Sequence, residues 1–565
     1  MVTDADDAPA ELRARAEEYW QARLEESPLL ASFLGDHRYD DRADDLSAEA
    51  DRRRRDRWAT LRGRVAGIPA AELAGADAVT RELLLGDLDD AIRQLDLRMV
   101  ELTANQLQGA HARLLMIASQ LRAPTPEHAE MAARRVGQMA AMLDQAAARY
   151  REGVAAGRPP ARVNVARSLS QIDGYLAAPV EQDPFVRLPG PDDWDGTEAW
   201  RSRLAGAVRD ELRPAFARHR EVFAGELDAV ARPDERPGLC HLQDGPALYQ
   251  ELIESHTGLP LTPEELHEFG LREAQEELPA QFATIGQRAF GTSSPAEIFD
   301  RLLNDPELRY PGREAILEHA RRCLVVSSAA MGDWFGRLPQ APCELTPVPD
   351  YLAPAMPPAY YQPPAPDGSR PGQFMINLHE PDGRNRSGTA MVAFHEAIPG
   401  HHLQLAIAAE RTDLPAFQRL AHRHTAFVEG WGLYAERLAD EMGLYEGDID
   451  RLGMLGADAW RACRLVVDTG LHAMGWTRQQ AIDFMADHAP IEPETIAVEV
   501  DRYIGMPGQA LAYKVGQREI LQLREQAKAA MGARFDIKAF HDTVLGAATV
   551  SLPVLRARVT AWAAS

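Results

Sequence analysis

The chain has 565 residues and a formal net charge of −24, with 61 basic against 85 acidic side chains. Such an excess of negative charge argues against non-specific binding to nucleic acid, whose phosphates require a basic surface. Hydrophobic residues make up 45% of the chain and charged residues 26%, which is ordinary for a soluble globular protein.

The sequence also predicts a location. Met1 to Trp20 contains acids and lacks the apolar core of a secretory signal, and no run of 18 apolar residues follows. We therefore expect a cytoplasmic protein without a membrane span. The cysteines form no CxxC pair, so we expect neither a disulfide framework nor a cysteine metal site; they are Cys240, Cys323, Cys343 and Cys463.

Helical periodicity dominates the first 340 residues. An Arg/Glu-rich helix is predicted from Ala10 to Glu26, and apolar residues at 3–4 spacing predict further helix between Val79 and Arg122. Thr125, Thr262 and Ser294 each precede a proline and an acid, which is typical of a capped helix start. The first of these starts predicts a helix from Pro126 to Gly153.

A proline-rich stretch between residues 341 and 390 interrupts this pattern, because prolines recur there too often for a long helix. Within it, Gly372 to Leu378 is the best strand candidate of the chain. After Ser387 helical patterns resume. We predict one mainly α-helical catalytic unit over 1–565, compatible with two lobes. It has a helical part at 1–340, a strand-containing insert at 341–390, and metal-site and C-terminal helices at 391–565.

The most unusual motif follows the insert. His395-Glu396-Ala397-Ile398-Pro399-Gly400-His401-His402 is a variant of HExxH, in which two histidines on one helical face bind zinc and the glutamate acts as general base. Here Pro399 and Gly400 are surplus to the usual spacing. Removing them would restore the pattern, with His401 as the second histidine.

This spacing would fail in a regular helix. At about 100° per residue, His401 would lie roughly 120° around the helix from His395, and His402 would lie about 10 Å along it. Pro399 has no N–H for the carbonyl of His395, and Gly400 tolerates unusual backbone angles. We therefore predict a bulged or broken turn that carries His401 back beside His395. His402 remains the alternative ligand.

A hydrolytic zinc site also needs a third protein ligand and an open position for water. Glu429 lies 33 residues after Glu396, which leaves room for a helix, a turn near Thr412 to Pro415 and an antiparallel return. Its neighbours are apolar, and an unpaired carboxylate would be costly among them. Glu436, seven residues on and nearly on the same helical face, is the fallback ligand.

Several segments resemble a known family. His395 to Gln404 matches the HEAxPGHHxQ pattern of the bacterial family catalogued as domain of unknown function 885. That family in turn resembles the carboxypeptidase Taq group of gluzincin metallopeptidases. The other matching segments spread over most of the chain: Leu34 to Asp41, Tyr360-Tyr361, Pro371-Gly372, Phe427 to Tyr434, Val467 to His472, Arg502-Tyr503, Pro507 to Ala510 and Tyr513 to Gly516.

The resemblance implies a large multi-helix zincin-like fold with a deep cleft and a small antiparallel β-sheet. It implies one Zn²⁺ ion and the hydrolysis of a peptide bond, with Glu396 as general base. The ligands would be His395, His401 and Glu429, with His402 as the alternative to His401.

Further roles follow from the matching segments. His472, Tyr503 and Tyr513 are candidate donors to the oxyanion of the reaction. Arg502 is a candidate for binding a substrate carboxylate. The strand that contains Asn377 is a candidate for pairing with a peptide substrate at a sheet edge.

Two other functions remain open. The same site would serve a metal-dependent amidohydrolase that acts on a non-peptide amide or a modified amino acid. A third hypothesis is a non-catalytic binding protein that kept the fold and lost the metal. The expected partner is a peptide or amide substrate, as for a carboxypeptidase on small peptides, and no nucleic acid or membrane. A homodimer is implied only by analogy with carboxypeptidase Taq.

Overall fold

The computed structural model describes residues 7–350, 353, 356–365, 368, 370–421 and 423–565. The first six residues, on which part of the signal-sequence prediction falls, lie outside these ranges, as do Pro354 and Pro366 of the insert. Within the described ranges, no helix is both long enough and apolar enough to cross a membrane.

Helices form most of the described chain before the insert, as predicted. They are α1 to α15: Asp7–Glu26, Pro28–Phe33, Ala48–Gly67, Gly75–Asp96, Ala110–Ala118, Pro126–Ala155, Arg162–Ala177, Thr197–Ala207, Arg213–Glu221, Asp228–Val230, Gly245–Thr257, Pro263–Arg272, Leu278–Ala289, Pro295–Asn304 and Arg313–Trp334. Short π-helical turns join some of them, at Val208–Leu212, Val222–Leu227 and Glu273–Glu277.

Local side-chain chemistry sets several of these boundaries. The hydroxyls of Thr125, Thr262 and Ser294 each accept a hydrogen bond from a backbone N–H of the first helical turn, which confirms the predicted starts of α6, α12 and α14. The region from Val79 to Arg122 contains two helices, α4 and α5. Asn105 separates them, because its side chain accepts from two nearby backbone N–H groups and so competes with helix formation.

The insert carries one small sheet. Its strands are β1 (Cys343–Pro347), β2 (Ala359–Gln362) and β3 (Gly372–Ile376), in the order β1-β3-β2. β3 confirms the strand predicted near Gly372 to Leu378. The sheet is mixed and not antiparallel as expected, because β1 runs parallel to β3 while β2 runs antiparallel to it. The chain crosses from β1 to the far edge before it forms β2, which fixes this topology.

Helices resume after the sheet and continue to the end of the chain. They are α16 to α25: Ser387–Glu396, His401–Glu410, Ala416–Leu420, Thr425–Glu441, Asp448–His472, Arg478–His488, Pro493–Gly505, Ala512–Met531, Ile537–Leu545 and Leu552–Ala564. The long helix α20 packs against α16, and α19 packs against α23. These four helices surround the His395 motif.

The hydrophobic core joins the two helical parts. One cluster combines N-terminal residues such as Leu12 and Leu84 with Trp431 and Leu555 near the other end. A second cluster links Phe282 with residues of α20, whereas a third lies wholly within residues 29–231. Residues from before and after the insert therefore pack together in the same hydrophobic clusters.

Candidate metal centre

Three side chains from three helices converge. They are His395 near the end of α16, His401 at the start of α17, and Glu429 in α19. The Nε2 atoms of His395 and His401 lie 3.7 and 3.6 Å from Oε2 of Glu429. One potential ligand atom of each residue lies within 4.8 Å of the others.

These distances fit a shared ion. They are too long for hydrogen bonds. Two ligands that each lie about 2.0–2.1 Å from zinc at a tetrahedral angle are themselves roughly 3.3–3.4 Å apart. Two imidazole nitrogens and a carboxylate oxygen are also a ligand set that hydrolytic zinc sites use. The two nitrogen–oxygen distances therefore exceed the spacing that zinc requires by only a few tenths of an ångström.

A break between α16 and α17 brings the two histidines together. α16 ends at Glu396 and α17 begins at His401, and Ala397 between them has the non-helical angles φ −100° and ψ −103°. The N–H of His402 donates to the carbonyl of Ala397, five residues back, at 3.0 Å. This spacing is that of a π-type turn. The predicted interruption of the helix is confirmed.

Gly400 takes up unusual backbone angles at the helix break and leaves space there. Its φ of −81° and ψ of −128° lie outside the helical and extended regions, which agrees with the prediction that this residue tolerates unusual angles. A Cβ atom at this position would lie 1.9 Å from the carbonyl oxygen of His395 and 2.4 Å from that of Phe394. A glycine therefore allows the start of α17 to approach the end of α16.

The residues after Glu429 explain why α19 delivers a carboxylate here. Gly430 allows a close approach to α23, since a Cβ there would lie 2.4 Å from Gly516. The indole N–H of Trp431 donates to the carbonyl of Pro399 at 3.0 Å, which ties α19 to the helix break. Gly432 leaves room for the ring of His395, whose Cε1 would lie 2.7 Å from an added Cβ.

Glu436 lies behind His395 and not among the candidate ligands. Its Oε1 accepts a hydrogen bond from Nδ1 of His395 at 2.7 Å, and its side chain is fully buried. Arg461 of α20 lies 3.8 Å from the same oxygen. Burial by itself lowers the pKa of His395, but the carboxylates of Glu429 and Glu436 outweigh burial and raise that pKa to about 9. The hydrogen bond holds the ring with Nε2 facing Glu429.

His402 is hydrogen-bonded to residues of the insert that carries the sheet. The Tyr361 hydroxyl lies 2.9 Å from its Nδ1, and the carbonyl oxygen of Ala341 lies 3.0 Å from its Nε2. Burial lowers the pKa of His402 to about 4, so that the neutral ring donates from Nε2 and accepts at Nδ1. The structure thus brings His401, and not His402, to His395 and Glu429.

Glu396 lies beside the three converging residues and remains partly exposed. It accepts a hydrogen bond from the backbone N–H of Tyr361 in β2. Burial raises the pKa of Glu396 above its usual range, the imidazoles of His395 and His401 oppose this shift, and the charge of Glu429 adds to it. A partly exposed carboxylate with a raised pKa is suited to exchange protons with a substrate.

The three predicted oxyanion donors occupy different surroundings. Tyr513 of α23 is partly exposed, and the charge of Glu429 acts on its hydroxyl. The Tyr503 hydroxyl is buried, donates to Glu499 at 2.7 Å and accepts from Arg464 at 2.9 Å. His472 is fully buried, with both ring nitrogens bonded to backbone groups. Tyr513 alone of the three faces the converging residues with an accessible side chain.

The two predicted substrate-binding residues are engaged within the protein. Arg502 donates to Glu499 and Gln509, although a fifth of its side chain stays exposed. The Asn377 amide donates to the carbonyls of Ala353 and Met356 and so braces the insert. The prediction that its strand offers a free sheet edge is wrong, since β3 lies between β1 and β2 and is paired on both sides.

Sequence reasoning did not assign roles to Tyr361, Arg461 and Arg464, which surround the site. Arg461 and Arg464 stand one turn apart in α20, a helix whose other residues from Leu452 to His472 are almost all buried. Arginines within such a helix are uncommon, because burying their charge requires a partner. The occurrence of two arginines in a mainly apolar stretch of helix is the sequence signal that could have identified Arg461 and Arg464.

A second His/Asp/Glu group is less suited to a cation. It consists of His319, Glu446 and Asp450, but Glu446 already forms an ion pair with Arg322 at 2.8 Å and is half exposed. The positive charge of Arg386 also acts on the group. Two nearby guanidinium groups disfavour a bound metal ion there.

Comparisons with known proteins place the chain among uncharacterised relatives. The profile of a family described as "Bacterial protein of unknown function (DUF885)" matches residues 28–559. A protein of Colwellia psychrerythraea, provisionally named a lipoprotein, has a crystal structure similar to this chain, with 26% sequence identity and a TM-score of 0.90 over 98% of this chain and 99% of that one. No curated protein matches the chain.

A second solved structure shares the fold. It belongs to a protein of Shewanella oneidensis that is provisionally named a lipoprotein of unknown function. Its sequence identity is 18% and its TM-score is 0.73, over 96% of this chain and 98% of that one. The architecture is therefore common to these proteins over essentially their whole length.

Proposed function

The chain belongs to the bacterial family of unknown function DUF885, and because that name supplies no activity, we propose from the site itself that the protein is a zinc-dependent metallopeptidase of zincin-like fold. The observation that carries this proposal is the convergence of His395, His401 and Glu429, with Glu396 beside them. The resemblance of the motif to gluzincin carboxypeptidases supports the same reaction.

The residues divide into a metal set and a proton-transfer group. His395, His401 and Glu429 would hold the ion. Bound zinc would supply Lewis-acid polarisation of the scissile carbonyl and a lowered pKa for water. Glu396 is the general base that takes the proton of the attacking water. Its raised pKa also suits the later transfer of that proton to the leaving amine.

Tyr513 completes the proposed machinery. Burial and the charge of Glu429 raise the pKa of its hydroxyl, which therefore stays protonated and can donate a hydrogen bond. A donor placed beside the metal ligands is suited to stabilise the oxyanion as the carbonyl carbon becomes tetrahedral. Tyr503 and His472 would support the site from within the core.

The proposal is tested by metal analysis and turnover on the same preparation. We expect one zinc per chain by elemental analysis, with anomalous scattering located between His395, His401 and Glu429 in a crystal. We also expect hydrolysis within a panel of short peptides read by mass spectrometry. Glu396→Gln should abolish turnover and leave the zinc content unchanged, because the amide cannot take the proton.

The matched control is Glu410→Gln, which changes an exposed glutamate at the end of α17 whose contacts are backbone N–H groups of the insert. It should keep both zinc and turnover. Parental turnover in Glu396→Gln would contradict the assigned base. Cleavage of non-peptide amides alone would favour the amidohydrolase hypothesis, and a chain without stoichiometric zinc would favour the non-catalytic one. The cytoplasmic location and the homodimer stay predictions.

A further inference from the structure

Arg464 of α20 has an unpaired guanidinium nitrogen inside the protein. Its Nε donates to the Tyr503 hydroxyl at 2.9 Å, and its Nη2 donates to Glu499 at 3.0 Å. Nη1 is buried and has no hydrogen-bond partner among the described residues. The whole side chain is only 5% exposed. A buried donor left without a partner is costly, so this nitrogen calls for an acceptor.

The charges around Arg464 are not balanced either. Arg502 binds the same carboxylate, with Nη1 3.0 Å from Oε2 of Glu499, so that one glutamate serves two guanidinium groups. The next acid along α20, Asp468, accepts from the Tyr249 hydroxyl and the N–H of Gly508, and its charge acts on Arg502 without a salt bridge between them. Among the described residues, Glu499 is therefore the acid that forms ion pairs with both arginines, and burial makes such an excess of positive charge expensive.

This cationic pair lies next to the candidate metal centre. The guanidinium of Arg464 stacks on the ring of Tyr513, 4.4 Å from its centroid. Burial and the negative charge of Glu429 raise the pKa of the Tyr513 hydroxyl, and the positive charges of Arg502, Arg464 and Arg461 oppose this shift. Arg461, one turn before Arg464, reaches Glu436 behind His395. Tyr513 thus connects the arginine pair to Glu429.

One arginine of the pair, Arg502, is partly exposed to solvent. The side chain of Arg502 is 20% exposed and that of Glu429 is 23% exposed. Tyr513 and Trp460, whose ring also contacts the guanidinium of Arg464, are partly exposed as well. A group bound by the arginines would therefore lie along the same partly open surface as the metal ligands.

We propose that Arg464 and Arg502 bind a carboxylate of the substrate beside the metal centre, which makes the substrates short peptides that carry a negative charge close to the scissile bond. This inference rests on the proposed peptidase function. A carboxylate supplies the missing negative charge, and its two oxygens match the planar donors of arginine. The carboxylate belongs either to the C-terminus of the peptide or to an acidic side chain.

Three N-acetylated peptides distinguish a C-terminal carboxylate from a side-chain carboxylate. The first has a free C-terminus, the second is the C-terminal amide of the same peptide, and the third is an amide whose last residue is replaced by glutamate. We expect kcat/KM for the free acid to exceed that of the plain amide by about 10- to 100-fold, which is the usual effect of a charged hydrogen bond. A preference for the glutamate amide instead would assign the carboxylate to a side chain. Equal rates for all three would overturn the proposal.

Arg464→Lys removes the planar donor set and keeps the charge. It should raise KM for the free acid and reduce the preference over the amide to less than about threefold, while the zinc content stays at the parental level. Arg524→Lys is the matched control, because Arg524 is equally buried and also binds one glutamate and one tyrosine hydroxyl. It should keep the full preference. Loss of the preference in both variants, or in neither, would overturn the proposal.

A binding measurement separates failure of this inference from failure of the peptidase proposal. N-acetylglycine and N-acetylglycinamide, which lack a side chain, are titrated into the purified protein and followed by ligand-observed NMR. We expect the acid to bind more tightly than the amide by about tenfold in the parental protein and in Arg524→Lys, but not in Arg464→Lys. This result would support the carboxylate site even if no peptide were hydrolysed, and equal binding of acid and amide would overturn it.

Discussion

His395 Nδ1 lies 2.7 Å from Oε1 of Glu436, a carboxylate that is only 1% exposed. A carboxylate in this position accepts a hydrogen bond from Nδ1–H, so the opposite nitrogen of the ring is left to face Glu429. Glu436 and Glu429 stand seven residues apart on α19, which places them on one helical face, and His395 lies between them. One helix therefore both orients this histidine and carries the neighbouring candidate ligand.

Glu436→Gln should weaken zinc binding by about 10- to 100-fold, the range found when a carboxylate behind a metal-binding histidine is removed. The amide still accepts a hydrogen bond from Nδ1 but no longer carries the charge that strengthens the imidazole as a ligand. Competition with a chromophoric chelator measures the affinity. Glu441→Gln, on the same helix and bound to Arg524, is the control and should keep parental affinity. Equal affinities of all three proteins would contradict the orienting role.

His401→Gln and His402→Gln should have opposite effects. His401→Gln should lose stoichiometric zinc, because its Nε2 faces Glu429. His402→Gln should keep zinc but lower the free energy of unfolding by about 1–3 kcal/mol, since one of the hydrogen bonds to Tyr361 and Ala341 is lost inside the protein. Elemental analysis and denaturant unfolding measure the two quantities. Zinc loss in His402→Gln with retention in His401→Gln would reverse the assignment.

Gly432→Ala should displace the ring of His395, although Gly432 is not itself a candidate ligand. The added Cβ would lie 2.7 Å from Cε1 and 2.8 Å from Nε2, closer than non-bonded atoms approach, so the ring must move away from Glu429. We expect zinc affinity to fall by at least about tenfold, as in other sites whose supporting contacts are altered. Calorimetric titration with zinc measures this loss.

Gly388→Ala is the control for that substitution. Gly388 is in α16, the helix of His395, and an added Cβ would meet no atom within 4 Å. It should bind zinc as the parental protein does and gain about 0.5–1 kcal/mol in stability, because alanine loses less backbone entropy in a helix. If Gly432→Ala also binds zinc normally, the ring of His395 has room that the structure does not show.

The sequence is sufficient for most of the helical architecture and for the position of β3. Capping residues such as Thr262 and Ser294 act within one helical turn, so their effect can be predicted from neighbouring residues. The mixed sheet could not be predicted in this way, because the parallel pairing of β1 with β3 depends on where the chain crosses between them. Non-local pairing leaves no periodic trace in a strand of five residues.

The candidate site could likewise be predicted only in part from the sequence. The break at Pro399-Gly400 and the arrival of Glu429 follow from spacing and helix geometry. The choice of His401 over His402 does not, because it depends on Tyr361 and Ala341, which come from the insert and occupy the ring of His402. Likewise, the sequence does not show that Arg464 and Arg502 share Glu499 as their ion-pair partner, because this depends on how α20 and α22 pack.

Protonation of a buried histidine should destabilise the protein in acid. His541 of α24 is fully buried, its Nε2 lies 2.8 Å from the Tyr434 hydroxyl, and its Nδ1 lies 2.8 Å from the carbonyl of Trp334. Burial and the charge of Arg524 together lower the pKa of His541 to about 3, although the hydrogen bond to Trp334 opposes them. The neutral ring donates to Trp334 and accepts from Tyr434, and a second proton would break the latter bond.

Because the unfolded chain takes up this proton near pH 6.5 and the folded protein does not until about pH 3, the stability from His541 is complete above pH 6.5 and is lost as the pH falls toward 3. The loss is about 1.4 kcal/mol per pH unit. His541→Gln should lower the free energy of unfolding by about 1–3 kcal/mol at pH 7.5, because hydrogen bonds of the ring are lost. Below pH 6.5, however, the free energy of unfolding of the variant should fall less steeply than that of the parental protein, and the two slopes should differ by this amount per pH unit. Denaturant unfolding from pH 7.5 to 4.5 measures both, and parallel profiles for the two proteins would show that His541 titrates alike in the folded and unfolded chain.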